Sequence, residues 1–143
     1  MRIFFVVLLM GMNLSIFSQA KIVRPPFNPQ IAVRFVNDYI KILDSRKNNT
    51  QDWIKGSPIL TSKFKTEYKK SVNGYSDPIL DAQDYPDKGF KVMKADSASG
   101  YVILQGVDWQ EFLLTIRLVL QDNKWLLDGS GVVNISENKR SKR

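Results

Sequence analysis

The chain of 143 residues contains no cysteine and no histidine. The lack of cysteine excludes a disulfide, a thiolate metal site, a cysteine nucleophile and a lipoprotein-type anchor, which needs a thiol at the cleavage point. The lack of histidine removes the side chain whose ordinary pKa lies nearest neutrality, and with it the commonest zinc ligand. There is no Ser–His pairing, no glycine loop of the phosphate-binding kind and no Cys/His metal spacing. No metal and no cofactor are therefore expected. A long uninterrupted apolar run of membrane-spanning length is also missing, since spanning takes roughly 20 residues.

The composition that remains is that of an ordinary globular domain, with 43% hydrophobic and 24% charged residues. That is too apolar for wholesale disorder, and the length fits one domain. The formal charge is +7, but its placement matters more than its size. Arg2 carries one charge and residues 137–143 carry a net three, which leaves about +3 for residues 21–136. A nucleic-acid binder clusters basic charge on one structured face, so no nucleic-acid partner is expected.

The first residues read as an export address. Met1 and Arg2 form a short positive start, residues 3–12 are almost wholly apolar, and Ser18 and Ala20 are the small residues a signal peptidase reads. Cleavage after Ala20 would release a periplasmic or secreted chain with no stable membrane anchor; an uncleaved N-terminal anchor is the alternative. Residues 21–29 hold Pro25, Pro26 and Pro29 and are expected to be extended.

From residue 30 to 136 the pattern is helices first and strands afterwards, which predicts a single α+β domain rather than a βαβ sheet. Ala32, Phe35, Val36, Tyr39, Ile40 and Leu43 fall on one face of a helix over 30–45. Residues 46–50 are polar and should end it. Leu60, Phe64, Tyr68 and Val72 share a stripe on a second helix over 61–72, with Thr61 or Ser62 as cap. A helical turn capped by Asp77 should follow Asp77-Pro78.

Strands are expected over 91–95, 101–106, 111–121 and 124–135, joined as sequential antiparallel hairpins. Phe112, Leu114, Ile116, Leu118 and Leu120 alternate onto one apolar face that should meet the helices. The opposite face, with Leu113, Thr115, Arg117 and Val119, is half polar, so something should cover part of it; a second copy of the chain docking there is one possibility. Asp122-Asn123 is a hairpin turn signal, and Gly129 with Gly131 points to a bulge or bend in the last strand. A curved sheet around a long helix would enclose a hollow.

This order of elements resembles the nuclear-transport-factor-2-like, or SnoaL-like, cone fold. The run Asp77-Pro78-Ile79-Leu80-Asp81-Ala82-Gln83-Asp84-Tyr85-Pro86-Asp87, with Trp125-Leu126-Leu127-Asp128 leading the last strand, is similar to the exported bacterial YbjP/YqhG-like family. The resemblance covers roughly residues 30–135 and implies export and a cone. It implies no particular reaction, because cone folds host isomerases, hydratases and pure binding modules.

The aspartate run supplies the first candidate site. Asp77, Asp81, Gln83, Asp84 and Tyr85 would line the cone mouth and contact a ligand; a cation site is the other functional reading of the aspartates, but the run lacks the ligand spacing and turn glycine of a calcium loop. As plain structure, Asp77 caps a turn, Asp84 accepts from backbone N–H groups, and the others face water. An isomerase-like site would need a carboxylate base and phenol donors in an apolar pocket; Asp81, Asp84, Tyr39, Tyr68 and Tyr85 have the right types. Arg117 would hold an anionic ligand inside the cone, or pair with Asp108 or Glu111. Trp109, in a short turn, is the expected partner contact. The basic tail could touch an anionic surface, but a solvated terminus is the simpler expectation. The favoured function is a non-catalytic binding module for a small ligand, peptide or protein partner. An isomerase or hydratase and an envelope inhibitor are the alternatives.

Overall fold

Three helices precede four strands in the computed structural model, which describes residues 21, 23–47, 49–72 and 74–142. The export signal expected over 1–20 lies outside the described residues.

Helix α1, Gln30–Ser45, has the bounds its periodicity predicts. Asn28 opens it by accepting from the Gln30 N–H at 3.0 Å, and Arg46 closes it in the left-handed region. A helix that the spacing does not predict follows at once: α2, Thr50–Gly56. The polar stretch does end α1, but its Asn49 then caps α2 by accepting from the Gln51 N–H at 2.9 Å. Helix α3, Ser62–Ser71, starts where expected, with the Thr61 hydroxyl accepting from the Phe64 N–H.

The strands are β1, Phe90–Ala95; β2, Tyr101–Gly106; β3, Leu113–Gln121; and β4, Lys124–Ser130. They form one antiparallel sheet in the order β1-β2-β3-β4, curved and unclosed. Asp122 and Asn123 both take positive φ, 49° and 59°, as the tight β3–β4 hairpin demands. β4 stops five residues short of its expected end. Gly131 turns the chain at φ 61°, and Ser130 and Val133 then bond each other's backbone. The anticipated bulge is present: Arg117 pairs with Gly129 and Leu118 with Leu127, so Asp128 is the extra residue.

The buried face of α1 meets the inner face of the sheet. Phe112, Leu114, Ile116 and Leu118 are all buried, whereas Leu120 is half-buried because it lies near the strand end, opposite Trp125. Burying each such side chain stabilises the fold by about 1.5–3 kcal/mol. The ring of Phe35 lies 5.6 Å from Trp53, 6.0 Å from Phe64 and 6.2 Å from Tyr39, so aromatic side chains fill the space beneath the sheet. The proline-rich segment packs rather than trailing free. Pro25 accepts from the Trp125 indole N–H at 3.0 Å, and Phe27 meets the same ring edge-on.

Both sheet edges are managed. The outer edge of β4 pairs with the segment before α3, through Leu127 N–H to the Ile59 carbonyl and Thr61 N–H to the Leu127 carbonyl. On β1 the Asn37 side chain of α1 takes the place of a strand. Its carbonyl accepts from the Phe90 N–H at 2.9 Å, and its amide donates to the Phe90 carbonyl at 3.3 Å. Gly89, at φ 74°, must lack a Cβ, which would sit 2.6 Å from the Asn37 oxygen. Beyond Phe90 a bulge at Met93 and the charges of Lys91 and Lys94 blunt the rest of the edge.

Asn37→Ala should therefore lower the unfolding free energy by about 1–3 kcal/mol in urea melts, because it strips both edge groups of Phe90. A loss below about 0.5 kcal/mol would show that water serves those groups as well as the amide does.

Candidate functional site

The first half of the aspartate run, residues 77–82, folds as a plug with little surface to offer a ligand. One oxygen of Asp77 accepts from the Ile79 and Leu80 N–H groups, both at 2.9 Å, and the other accepts from the Tyr39 hydroxyl at 2.6 Å. Backbone bonds between Asp77 and Ala82 close the loop, and Asp81 turns it at φ 52°. Ile79 and Leu80 are fully buried. The end of β4 clamps this plug through Ser130 Oγ to the Ile79 carbonyl and Val132 N–H to the Pro78 carbonyl. Asp77 is thus a cap, as its position before Pro78 predicts.

Burial raises the Asp77 carboxyl above the ordinary 3.8, while its bonds from Tyr39, Leu80 and Ile79 pull it back. Burial and the adjacent Asp77 charge push the Tyr39 phenol far above its ordinary range, with Tyr68 adding to the effect. A carboxylate and two phenols do converge, then, but the carboxylate is Asp77 rather than Asp81 or Asp84. They converge in packed core. Among the described residues no buried side-chain nitrogen or oxygen lacks a hydrogen-bond partner, so no interior polar atom is left for a substrate.

Gln83, Asp84 and Tyr85 do meet, outside that core. With Asp87 and with Asp44 from the last turn of α1 they line an open cleft of about 320 Å³. Tyr85 donates its hydroxyl proton to Asp44 at 2.5 Å, and that bond, followed by burial and the charges of Asp44, Asp77 and Asp87, pushes its pKa up to about 12. The phenol is therefore a proton holder at neutral pH. Among the described residues no group of three carboxylates is arranged to hold a metal ion. Asp44 was invisible as a site residue because 41 positions separate it from Tyr85.

Arg117 lies on the outer face of the sheet, not inside the hollow: its neighbours Ile116 and Leu118 point inward. Its partner is Asp128 at 3.3 Å rather than Asp108 or Glu111. The bulge supplies that partner, since Asp128 is the residue it adds to β4. Asp108 is engaged elsewhere, accepting from the Lys88 N–H. The Asp128 carboxylate also accepts from the Thr61 hydroxyl at 2.6 Å and the Asn134 amide at 3.1 Å, so it is buried but fully served.

Beside Arg117 is an open polar cleft of about 420 Å³, lined also by Tyr101, Asn134, Ser136, Glu67 and Arg140. Arg140 comes from the tail, which is not a loose solvated end. Residues Glu137–Lys139 form a 3₁₀ turn, Lys139 Nζ stands 5.7 Å from the Tyr101 ring centre, and Ser141 Oγ lies 2.8 Å from Thr115 Oγ1. Thr115 is consequently buried, although it belongs to the outer face. The partial cover expected for that face is provided by the chain's own terminus. Arg140 Nε donates to the Ile135 carbonyl at 3.0 Å, which fixes the guanidinium at the cleft.

Trp109 keeps 43% of its surface exposed and rests edge-on against Phe112 at 5.2 Å. It lines neither the acidic nor the arginine cleft.

These features define an α+β protein with an open antiparallel sheet, an aromatic core beneath it and charged clefts at its surface. No protein-family model, no curated protein and no solved structure matches the chain.

Asp77→Ala should cost on the order of 2–4 kcal/mol in urea melts, through the lost cap and the stranded Tyr39 hydroxyl. Asp77→Asn isolates the charge. A carboxyl raised by folding stabilises the protein most below its ordinary 3.8, and that contribution is lost as pH rises through the folded value. The stability of Asp77→Asn relative to the natural chain should improve from about pH 3.5 to about pH 7. A difference that stays flat across that range would show that Asp77 titrates as an ordinary surface carboxyl.

Proposed function

We propose that this chain is an exported, non-catalytic binding module that holds a small organic anion, a carboxylate or a phosphate ester, at the Arg117–Arg140 cleft. The observation that carries it is the convergence of two guanidinium groups, from β3 and from the C-terminal segment, on one open polar cleft. A guanidinium has five N–H donors in a planar fork that matches a carboxylate or phosphate. Arg117 commits Nη1 to Asp128 and still keeps 36% of its side chain exposed; Arg140 commits Nε to a backbone carbonyl. The Tyr101, Ser136 and Asn134 side chains add polar groups around the lining.

Export is supported by the apolar, positively started segment over 1–20. The helix-then-sheet order agrees with a cone, and the packed aromatic interior speaks against a catalytic hollow. The isomerase alternative needs a carboxylate and phenols facing a substrate cavity, whereas Tyr39 and Asp77 face each other.

Calorimetric titration with succinate and with inorganic phosphate at low salt should give dissociation constants between about 10 µM and 1 mM, weakening as chloride rises. Arg140→Gln should weaken both about tenfold or more and leave the melting temperature within about 2 °C. Failure of either anion to bind the natural chain below about 10 mM would end the proposal.

A further inference from the structure

The C-terminal segment is polar, basic and mostly exposed, yet it lies across the sheet and carries half of the anion site. We propose that docking of residues 137–142 on the outer sheet face assembles the site, so that anion binding and segment docking are thermodynamically coupled. This rests on the cleft being the binding site, as set out above.

Charge makes the segment decisive. The Arg117 charge is matched by Asp128 at 3.3 Å, and Glu67 is matched by Lys70 at 2.9 Å. Among the described residues Arg140 forms no ion pair, so the unmatched positive charge at the cleft comes from the tail. Without the docked segment, the cleft keeps a neutralised Arg117 and loses its attraction for an anion.

The contacts that hold the segment are few and individually small: one hydroxyl pair between Thr115 and Ser141, one cation–π contact between Lys139 and Tyr101, and the Arg140 bond to Ile135. An element held this way sits in balance between docked and released. A ligand that binds only the docked form must pull the balance toward it, and by reciprocity anything that loosens docking weakens the ligand. Thr115 and Tyr101 are accordingly positioning residues, acting on the anion through the segment.

Limited trypsin digestion of the full chain, read by mass spectrometry at the bonds after Lys139 and Arg140, tests the coupling. Saturating inorganic phosphate or succinate should slow those cleavages threefold or more, while chloride at matched ionic strength should not. Thr115→Val, which keeps side-chain volume but loses the Ser141 bond, should speed the same cleavages and weaken both anions about three- to tenfold with an unchanged melting temperature. That variant separates coupling from simple shielding of the bond by a ligand. Natural-chain affinity and cleavage rates in Thr115→Val, with Arg140→Gln still weakening both anions, would overturn the coupling while leaving the cleft in place. No calorimetric binding of either anion to the intact chain would remove the cleft itself.

Discussion

A buried carboxylate cannot be left unserved, and Asp128 is where this chain meets that constraint. Stripping an ionised group of water costs several kcal/mol unless donors replace the solvent. Here three parts of the fold supply them. Thr61 donates from the start of α3, Arg117 from the outer face of β3, and Asn134 from the turn after β4. The Thr61 hydroxyl works in both directions, since it also accepts from the Phe64 N–H and so begins α3. The bulge that inserts Asp128 into β4 therefore sets the edge of the sheet, the start of a helix and the direction of Arg117 together. The Arg117–Arg140 cleft follows from this knot, because a mid-strand arginine acquires a fixed guanidinium only when something anchors it.

Parts of this were legible in the sequence because burial imposes a period. The α1 stripe from Ala32 to Ile40 and the β3 alternation from Phe112 to Leu118 each repeat an apolar residue at the spacing of their backbone. The hairpin at Asp122-Asn123 and the cap at Asp77 were legible for a local reason: those residue types satisfy a turn from within. Helix α2 escaped notice because seven residues hold too few turns to show a period, although Asn49 and Asp52 mark its start. The Arg117–Asp128 pair was illegible because a bulge shifts register by one residue, and no local signal says which acid it brings forward. The tail was misjudged for a related reason. A polar segment docked through a hydroxyl and a cation–π contact leaves no apolar pattern behind it.

The interior illustrates how composition can mislead about chemistry. Asp and Tyr are the residues an isomerase-like site would need, and Asp77 and Tyr68 both lie close enough to Tyr39 to raise its ionisation, after the larger effect of burial. The same closeness is what excludes a substrate. Tyr39 and Asp77 are each other's partner, and the Asp77 oxygens are already committed to a phenol and two backbone N–H groups. The raised ionisation of Tyr39 and Asp77 marks a mutually bonded polar pair set against the hydrophobic core.

On the proposed reading function belongs to the surface, where the acidic and the arginine clefts differ in one physical respect. In the acidic cleft Tyr85 donates to Asp44, and the phenol is held protonated. In the arginine cleft each guanidinium spends one nitrogen on the protein, a carboxylate for Arg117 and a carbonyl for Arg140. Arginine is weakly hydrated compared with lysine, so presenting its remaining donors to an anion costs little desolvation. On the proposed reading, a cleft with oriented donors left over, some of them on a docked C-terminal segment, would have both an affinity to offer and a means of adjusting it.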